Sequence, residues 1–257
     1  MLRMKIFNYI QDIYRQKGSA YFILIDPDKT NGKKLRNLID ISIDSDVDGF
    51  LIGGSLMVGG DLDSCITDIK NNTNKPVIIF PGGVSQVSKL ADALLFISLI
   101  SGRNAHQLIG EHVLAAPIIK KFGIEPISTG YMLIESGGRT TAEYISGSMP
   151  IPRNKPEIAA STALAAQYLG MQMVYLEAGS GALNSVPNEM VKAVSTFCDV
   201  PVIVGGGIKT PEDAHNKVIS GAKMIVTGNY FEKEEHFNLI KEFAQAIHVN
   251  IKRTIIT

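Results

Sequence analysis

Residues Pro201–Asn229 read PVIVGGGIKTPEDAHNKVISGAKMIVTGN. The β-branched run Val202–Val204 breaks on three glycines, Gly205 to Gly207. An amphipathic helix is expected next, with Thr210 as N-cap, Pro211 at the first helical position, Glu212 and Asp213 in the first turn and Gly221 at its close. A second apolar run, Met224–Val226, then breaks on Gly228 and Asn229. Two buried strands that each end in glycine let backbone N–H groups approach an anion with no Cβ in the way. A barrel of eight strand–helix units binds phosphate after its last two strands in this way. The bland reading, two tight strand-to-helix turns with no ligand, stays open at this point.

Six further apolar runs precede this pair: Tyr21–Ile25, Gly49–Ile52, Val77–Phe80, Ala93–Ile97, Glu125–Leu133 and Met173–Leu176; the last strand is drawn as Lys223–Val226. Most are continuously apolar, as strands covered on both faces are. Helical periodicity is clearest in Asn31–Ile43, Asn104–Lys121, Pro156–Leu169 and Glu189–Thr196, and Met1–Gly18 reads as an extra amphipathic helix before the first strand. Asp61–Asn74 is too polar to be named a helix, and Glu135–Lys155 reads as a long Gly/Ser/Pro loop. The alternation implies a parallel sheet, and eight repeats imply closure, so the fold expected is a single (β/α)8 TIM-barrel domain over residues 1–257 with an N-terminal extra helix. An open doubly wound sheet ranks second, because no GxGxxG follows the first strand.

Composition sets limits. The chain has 257 residues with formal charge +0, which points to no nucleic-acid partner and no broad electrostatic attraction to membrane. Two cysteines, Cys65 and Cys198, fit reduced thiols of a cytoplasmic protein. The five histidines lack HxH or HExxH spacing, so zinc is not expected. The longest apolar stretch, Ala93–Ile100, is too short to span a bilayer.

Chemistry is expected where strands end. The first strand runs into Asp26-Pro27-Asp28-Lys29. A carboxylate at that end of a barrel strand faces the mouth, and Asp26 suits Mg²⁺, which takes few protein ligands and fills its shell with water and phosphate oxygens; an ordinary turn is the alternative. Asp28 reads as a cap. Gly53-Gly54-Ser55 offers close approach and a hydroxyl, or a helix cap. Pro81-Gly82-Gly83 opens toward the same face. Arg103, after the fourth strand, is a candidate diphosphate clamp or a solvated helix-start residue. The sixth strand ends in Tyr175-Leu176-Glu177-Ala178-Gly179-Ser180-Gly181. Glu177 follows an apolar run, so its carboxylate is either functional or buried in an ion pair.

LIDPDK (Leu24–Lys29), GGS (Gly53–Ser55), PGG (Pro81–Gly83), IPRNKPEIA (Ile151–Ala159), YLEAGSG (Tyr175–Gly181), VGGGI (Val204–Ile208) and TGN (Thr227–Asn229) occur through most of the chain. In this order they resemble the geranylgeranylglyceryl phosphate synthase family, the branch with the longer EAGSG loop. VGGGI and TGN occur in many phosphate-binding barrels; YLEAGSG with LIDPDK and IPxxKPEIA is more specific. The resemblance implies a Mg²⁺-dependent prenyltransferase joining sn-glycerol 1-phosphate to an all-trans polyprenyl diphosphate, geranylgeranyl diphosphate above all, as an ether-lipid precursor. It implies Asp26 and Ser55 at the metal, and Tyr175–Gly181 (Tyr175, Leu176, Glu177, Ala178, Gly179, Ser180, Gly181), Gly206, Gly207, Gly228 and Asn229 on glycerol phosphate. Asp26 and Glu177 would be catalytic, Glu177 as general base. A homo-oligomer is implied, and the lipid-like product makes transient membrane contact an expectation. Part of the family has a lysine where Leu24 stands, so that phosphate contact is absent here or supplied elsewhere; Asn229 replaces a frequent threonine. The prenyl tail is expected near Tyr131, Met132 and Tyr144. Alternatives at this point are an indole-glycerol-phosphate or histidine-biosynthesis type of barrel enzyme, heptaprenylglyceryl phosphate synthase, and a non-catalytic phosphate-binding barrel.

Overall fold

A computed structural model describes residues 4–249 of the chain. Eight parallel strands close into a barrel in sequence order: β1 Ala20–Ile25, β2 Gly49–Ile52, β3 Val77–Ile79, β4 Ala93–Leu99, β5 Glu125–Leu133, β6 Met173–Glu177, β7 Val202–Gly205 and β8 Met224–Thr227. β8 pairs with β1, Phe22 lying opposite Val226, which completes the ring. Each expected run forms a strand, with ends moved by one or two residues.

Side chains alternate between two cores, as period-two geometry requires. Phe22, Leu51, Ile78, Leu95, Tyr131, Tyr175 and Ile203 fill the barrel. Tyr21, Phe50, Ile79, Leu94, Met132, Leu176 and Val204 pack outward against the helices. Those helices are α1 Lys5–Lys17, α2 Gly32–Asp44, α3 Leu62–Asn72, α4 Glu111–Phe122, α5 Thr141–Ser146, α6 Pro156–Tyr168, α7 Asn188–Phe197, α8 Pro211–Ile219 and α9 Ile240–Ile247. Helix α1 is the extra element. Its buried Phe7 and Ile10 belong to the interior core, and the Ile6 and Phe7 N–H groups donate to the Glu125 carboxylate at 2.8 and 3.0 Å. A carboxylate on the free N–H groups of a helix start satisfies donors that would otherwise be orphaned.

Three joints differ from expectation. Asp61–Asn74 does hold a helix, α3: Asp61 caps it by accepting from Ser64 N–H at 3.0 Å, and its Cys65, Ile66 and Ile69 are buried. A polar average hid a narrow apolar stripe there. The Glu135–Lys155 stretch is not structureless, since Ile134 bridges Ile151 and α5 begins at its cap Thr140. Most consequential, no helix connects β3 to β4; residues 80–92 are turns and irregular chain. One flank of the barrel is therefore left without its covering helix. A smaller difference is a π-type turn, His106–Gly110, ahead of α4. In β7–β8 the expected Thr210 cap forms, accepting from Asp213 N–H at 3.1 Å, with Pro211 first in α8; Ser220 is the last capping position and Gly221 follows it at φ +114°.

Candidate active site

A cavity of about 710 Å³ opens at the C-terminal ends of the strands, within the usual range for small-molecule sites. Asp26, Ser55, Tyr175, Glu177, Gly179, Ser180, Gly181, Gly206, Gly207, Gly228 and Asn229 all line it. Asp26 and Glu177 thus open onto one mouth, and the glycine ends of β7 and β8 flank it. From there the cavity runs sideways, past Leu94, Phe96, Val87 and Ala115, into the flank between β3 and β4 that lacks a helix.

Glu177 is 6% exposed, at the end of β6. Its Oε1 accepts from Gly179 N–H at 2.7 Å, and no basic side chain among the described residues pairs with it, so the buried-ion-pair alternative fails. Burial pushes its carboxyl up to about 7, against the smaller opposing pull of the Gly179 N–H and the Tyr175 hydroxyl. The Tyr175 hydroxyl faces it without closing a well-formed hydrogen bond, and burial keeps that phenol protonated. Gly206, at φ +79°, is required twice: no L side chain favours that backbone, and a Cβ would collide with Glu177 Oε1. The glycine run after β7 therefore makes room for the carboxylate.

Deeper in, Phe80 stacks on Tyr175 at 5.2 Å between centroids, and Tyr131 stands edge-on to both, at 5.6 and 5.5 Å. Both tyrosines point inward by the pleat and line the cavity.

Asp26 lies across the mouth, its side chain 16% exposed and its Oδ1 accepting from Asp28 N–H at 3.0 Å. Its Oδ2 is 3.2 Å from Lys29 Nζ. A Cβ on Gly54 would come within 3.3 Å of Asp26 Oδ2, so the bare glycine next to Ser55 leaves that oxygen approachable. Among the described residues no cluster of three His, Cys, Asp or Glu side chains could cage a metal. One accessible carboxylate beside Ser55 nonetheless fits Mg²⁺, an ion that brings waters and phosphate oxygens with it. Asp28 acts as a loop anchor instead: it accepts from Val58 and Gly59 N–H at 2.8 and 2.9 Å and from Gly60 N–H, chiefly the Val58 bond holding it below the usual carboxylate range.

Several expected residues stand elsewhere. Arg103 is not in the cavity; its guanidinium donates to Ile100 and Gly102 carbonyls at 3.3 and 2.7 Å, on a separate groove lined by Leu108 of the π-type turn and by α6. Its position after β4 is right, but short carbonyl partners hold the fork on its own loop. Leu176 and Ala178 alternate with Tyr175 and Glu177, so their side chains pack in the outer core. Met132 faces outward for the same reason, and Tyr144 is 73% exposed on α5, whose Ala142 and Ile145 line the cavity in its place.

Other lining residues went unnoticed in the sequence. Glu232 is one: its Oε1 accepts from Nδ2 of the expected Asn229 at 2.6 Å, while Asn229 Oδ1 accepts from Ser180 Oγ at 2.6 Å; the three-residue spacing from Asn229 to Glu232 is the available signal. His112, buried in α4, meets Ser98 Oγ at 3.0 Å, and burial holds the imidazole below its ordinary pKa and so neutral. Nothing in the sequence pattern marked it.

The chain is similar to other proteins over nearly its whole length. A geranylgeranylglyceryl phosphate synthase of Chitinophaga pinensis is 46% identical over 95% of this chain and 96% of its own. One from Pyrococcus horikoshii is 44% identical over 95% of each. The crystal structure of (S)-3-O-geranylgeranylglyceryl phosphate synthase from Thermoplasma acidophilum in complex with sn-glycerol-1-phosphate superposes with TM-score 0.85 at 35% identity, covering 93% of this chain and 98% of that one. A tryptophan synthase α subunit from Legionella pneumophila, 15% identical with TM-score 0.61, shares the fold alone. The PcrB family pattern matches residues 11–247. The barrel, its mouth and these relatives make the chain an enzyme that belongs to the PcrB family.

Proposed function

We propose that this enzyme joins sn-glycerol 1-phosphate to an all-trans polyprenyl diphosphate, geranylgeranyl diphosphate in the first place, releasing diphosphate. The observation that carries the reading is one continuous cavity with two characters: a polar, glycine-lined mouth and an apolar lateral arm where the barrel lacks a helix. A phosphorylated alcohol suits the first and a hydrocarbon tail the second.

Glycerol phosphate is assigned to the loop after β6 and to the glycine ends of β7 and β8, whose N–H groups would donate to its phosphate. Asp26 and Ser55 would hold Mg²⁺, which when bound supplies positive charge to the leaving diphosphate. The C1–O bond of the prenyl diphosphate breaks, and the faces of Phe80, Tyr131 and Tyr175 offer π density to the allylic cation. The glycerol C3 oxygen forms the new ether bond to C1 as its proton passes to Glu177, whose pKa near 7 matches a base working at neutral pH. Fixing the hydroxyl through its phosphate turns a two-body encounter into an oriented one.

The same reading places the tail along Leu94, Phe96 and Ala115. A membrane contact by the mouth is proposed from the exposed Leu56, Val58, Met149 and Leu183 on its loops, and sedimentation with vesicles tests it. A homo-oligomer is proposed from exposed Ile109 on the π-type turn and Val113 and Leu114 on α4, tested by light scattering. The decisive experiment incubates the protein with radiolabelled sn-glycerol 1-phosphate, geranylgeranyl diphosphate and Mg²⁺. Lipid-extractable label is expected; label that stays in the aqueous phase would falsify the assignment.

A further inference from the structure

A chain of polar contacts crosses the mouth from one half-site to the other. Ser180 Oγ donates to Asn229 Oδ1 at 2.6 Å, Asn229 Nδ2 donates to Glu232 Oε1 at 2.6 Å, Lys29 Nζ donates to the same Oε1 at 3.1 Å, and Lys29 Nζ lies 3.2 Å from Asp26 Oδ2. The Lys29 ammonium therefore sits between two carboxylates, beside the residue assigned to the metal and in the lining of the cavity.

The charges at the mouth single it out. The other lysines of the lining are engaged elsewhere: Lys209 Nζ donates to the Leu183 carbonyl at 3.1 Å, and Lys233 stands 3.9 Å from Glu235. Among the described residues no other lysine or arginine forms an ion pair with Asp26. Arg103 is tied to its own loop, and residue 24 is an apolar Leu against Gly228. A polyprenyl diphosphate brings about three negative charges, more than one divalent cation balances, so a fixed protein cation is needed where the leaving group rests. Lys29 is the one beside that position. Glu232, steered by Asn229, keeps its ammonium at the mouth.

Resting on the prenyltransferase reading above, we infer that Lys29 is a diphosphate-binding residue of this site, with Glu232 and Asn229 as its positioning residues. In the structure the ammonium pairs with both Asp26 and Glu232. When a cation occupies Asp26, like-charge repulsion and the flexible four-carbon stem turn it to the diphosphate oxygens.

The test is calorimetric titration of the full chain with inorganic diphosphate at saturating Mg²⁺, and separately with sn-glycerol 1-phosphate. The Lys29→Met variant is expected to bind diphosphate at least tenfold more weakly and glycerol phosphate within twofold of the unaltered protein, while Lys29→Arg recovers most of the diphosphate affinity. The side chain is 44% exposed, so both variants are expected to fold, and circular dichroism checks it. Unchanged diphosphate affinity with a lowered melting temperature makes Lys29 only a strut between the β1 and β8 loops and overturns the inference. Loss of both ligands together means collapse of the mouth, and overturns it too. If the unaltered protein forms no labelled lipid, the functional reading fails; if it does so while Lys29→Met keeps its diphosphate affinity, only this inference fails.

Discussion

Glu177 is held where an ionised group is least welcome, and this has consequences for both rate and stability. Burial raises its carboxyl from 4.5 to about 7, a difference of about 3 kcal/mol between its two protonation states. Because the folded protein holds this proton more tightly than the unfolded chain, the associated stability is complete below pH 4.5 and is lost as pH rises through about 7. Glu177→Gln carries no charge to desolvate. In urea unfolding at pH 8 the variant is expected to be more stable than the unaltered protein, by up to about 3 kcal/mol, with the advantage gone at pH 4. Its turnover is expected to fall roughly a hundredfold or more, while calorimetry finds glycerol phosphate affinity nearly intact. The turnover of the unaltered protein should climb with pH through about 7, as the base loses its proton. A variant that loses glycerol phosphate affinity instead would make Glu177 a substrate holder.

At the scale of elements, what was legible depended on how local the cause was. The β7–α8–β8 unit could be read nearly residue by residue, because glycine breaks, the Thr210 cap and Pro211 are short-range signals. Strand interiors were equally plain. Which of two neighbouring residues faces the cavity follows from the pleat once Glu177 is placed inside, and the pleat turns Leu176, Ala178 and Met132 outward although the motifs run through them without a break. The missing helix between β3 and β4 had no positive signature, since polar, proline- and glycine-bearing chain is compatible with loop or poor helix. Lys29 and Glu232 lie 203 residues apart, a pairing no local pattern reveals. Two predictions belong here. The lateral arm passes Ala115 on α4, so Ala115→Phe should cut turnover of the twenty-carbon diphosphate at least tenfold while sparing the ten-carbon one; equal losses would move the tail elsewhere. At the opposite end, Glu125→Ala strips two charge-assisted bonds from the start of α1. It should cost about 2–4 kcal/mol in denaturant unfolding with the turnover of folded protein kept. No cost would leave α1 held by Phe7 and Ile10 alone.

Across the whole molecule, the barrel separates stability from chemistry by its two ends. The bottom is closed by α1 and by the buried Asp48, which accepts from Lys17 Nζ and Tyr21 N–H at 2.7 and 2.8 Å. The top gathers loops from β1, β2, β6, β7 and β8 around a single opening, tied by the Ser180–Asn229–Glu232–Lys29 chain, by Asp28 to the loop after β2 and by Lys209 to the loop after β6. Glycerol phosphate at its proposed site would be gripped by three separate loops, after β6, β7 and β8, so it should stabilise the closed ring and not one loop. At a hundred times its dissociation constant, sn-glycerol 1-phosphate should add about 2.7 kcal/mol, which for a chain of this size raises the melting temperature by roughly 5–10 °C. Gly206→Ala should abolish that rise, since the new Cβ meets Glu177 Oε1 and the positive φ is disfavoured. Differential scanning fluorimetry checks both. A Gly206→Ala protein that still gains the full increment would show that the phosphate is held by β6 and β8 without the β7 loop.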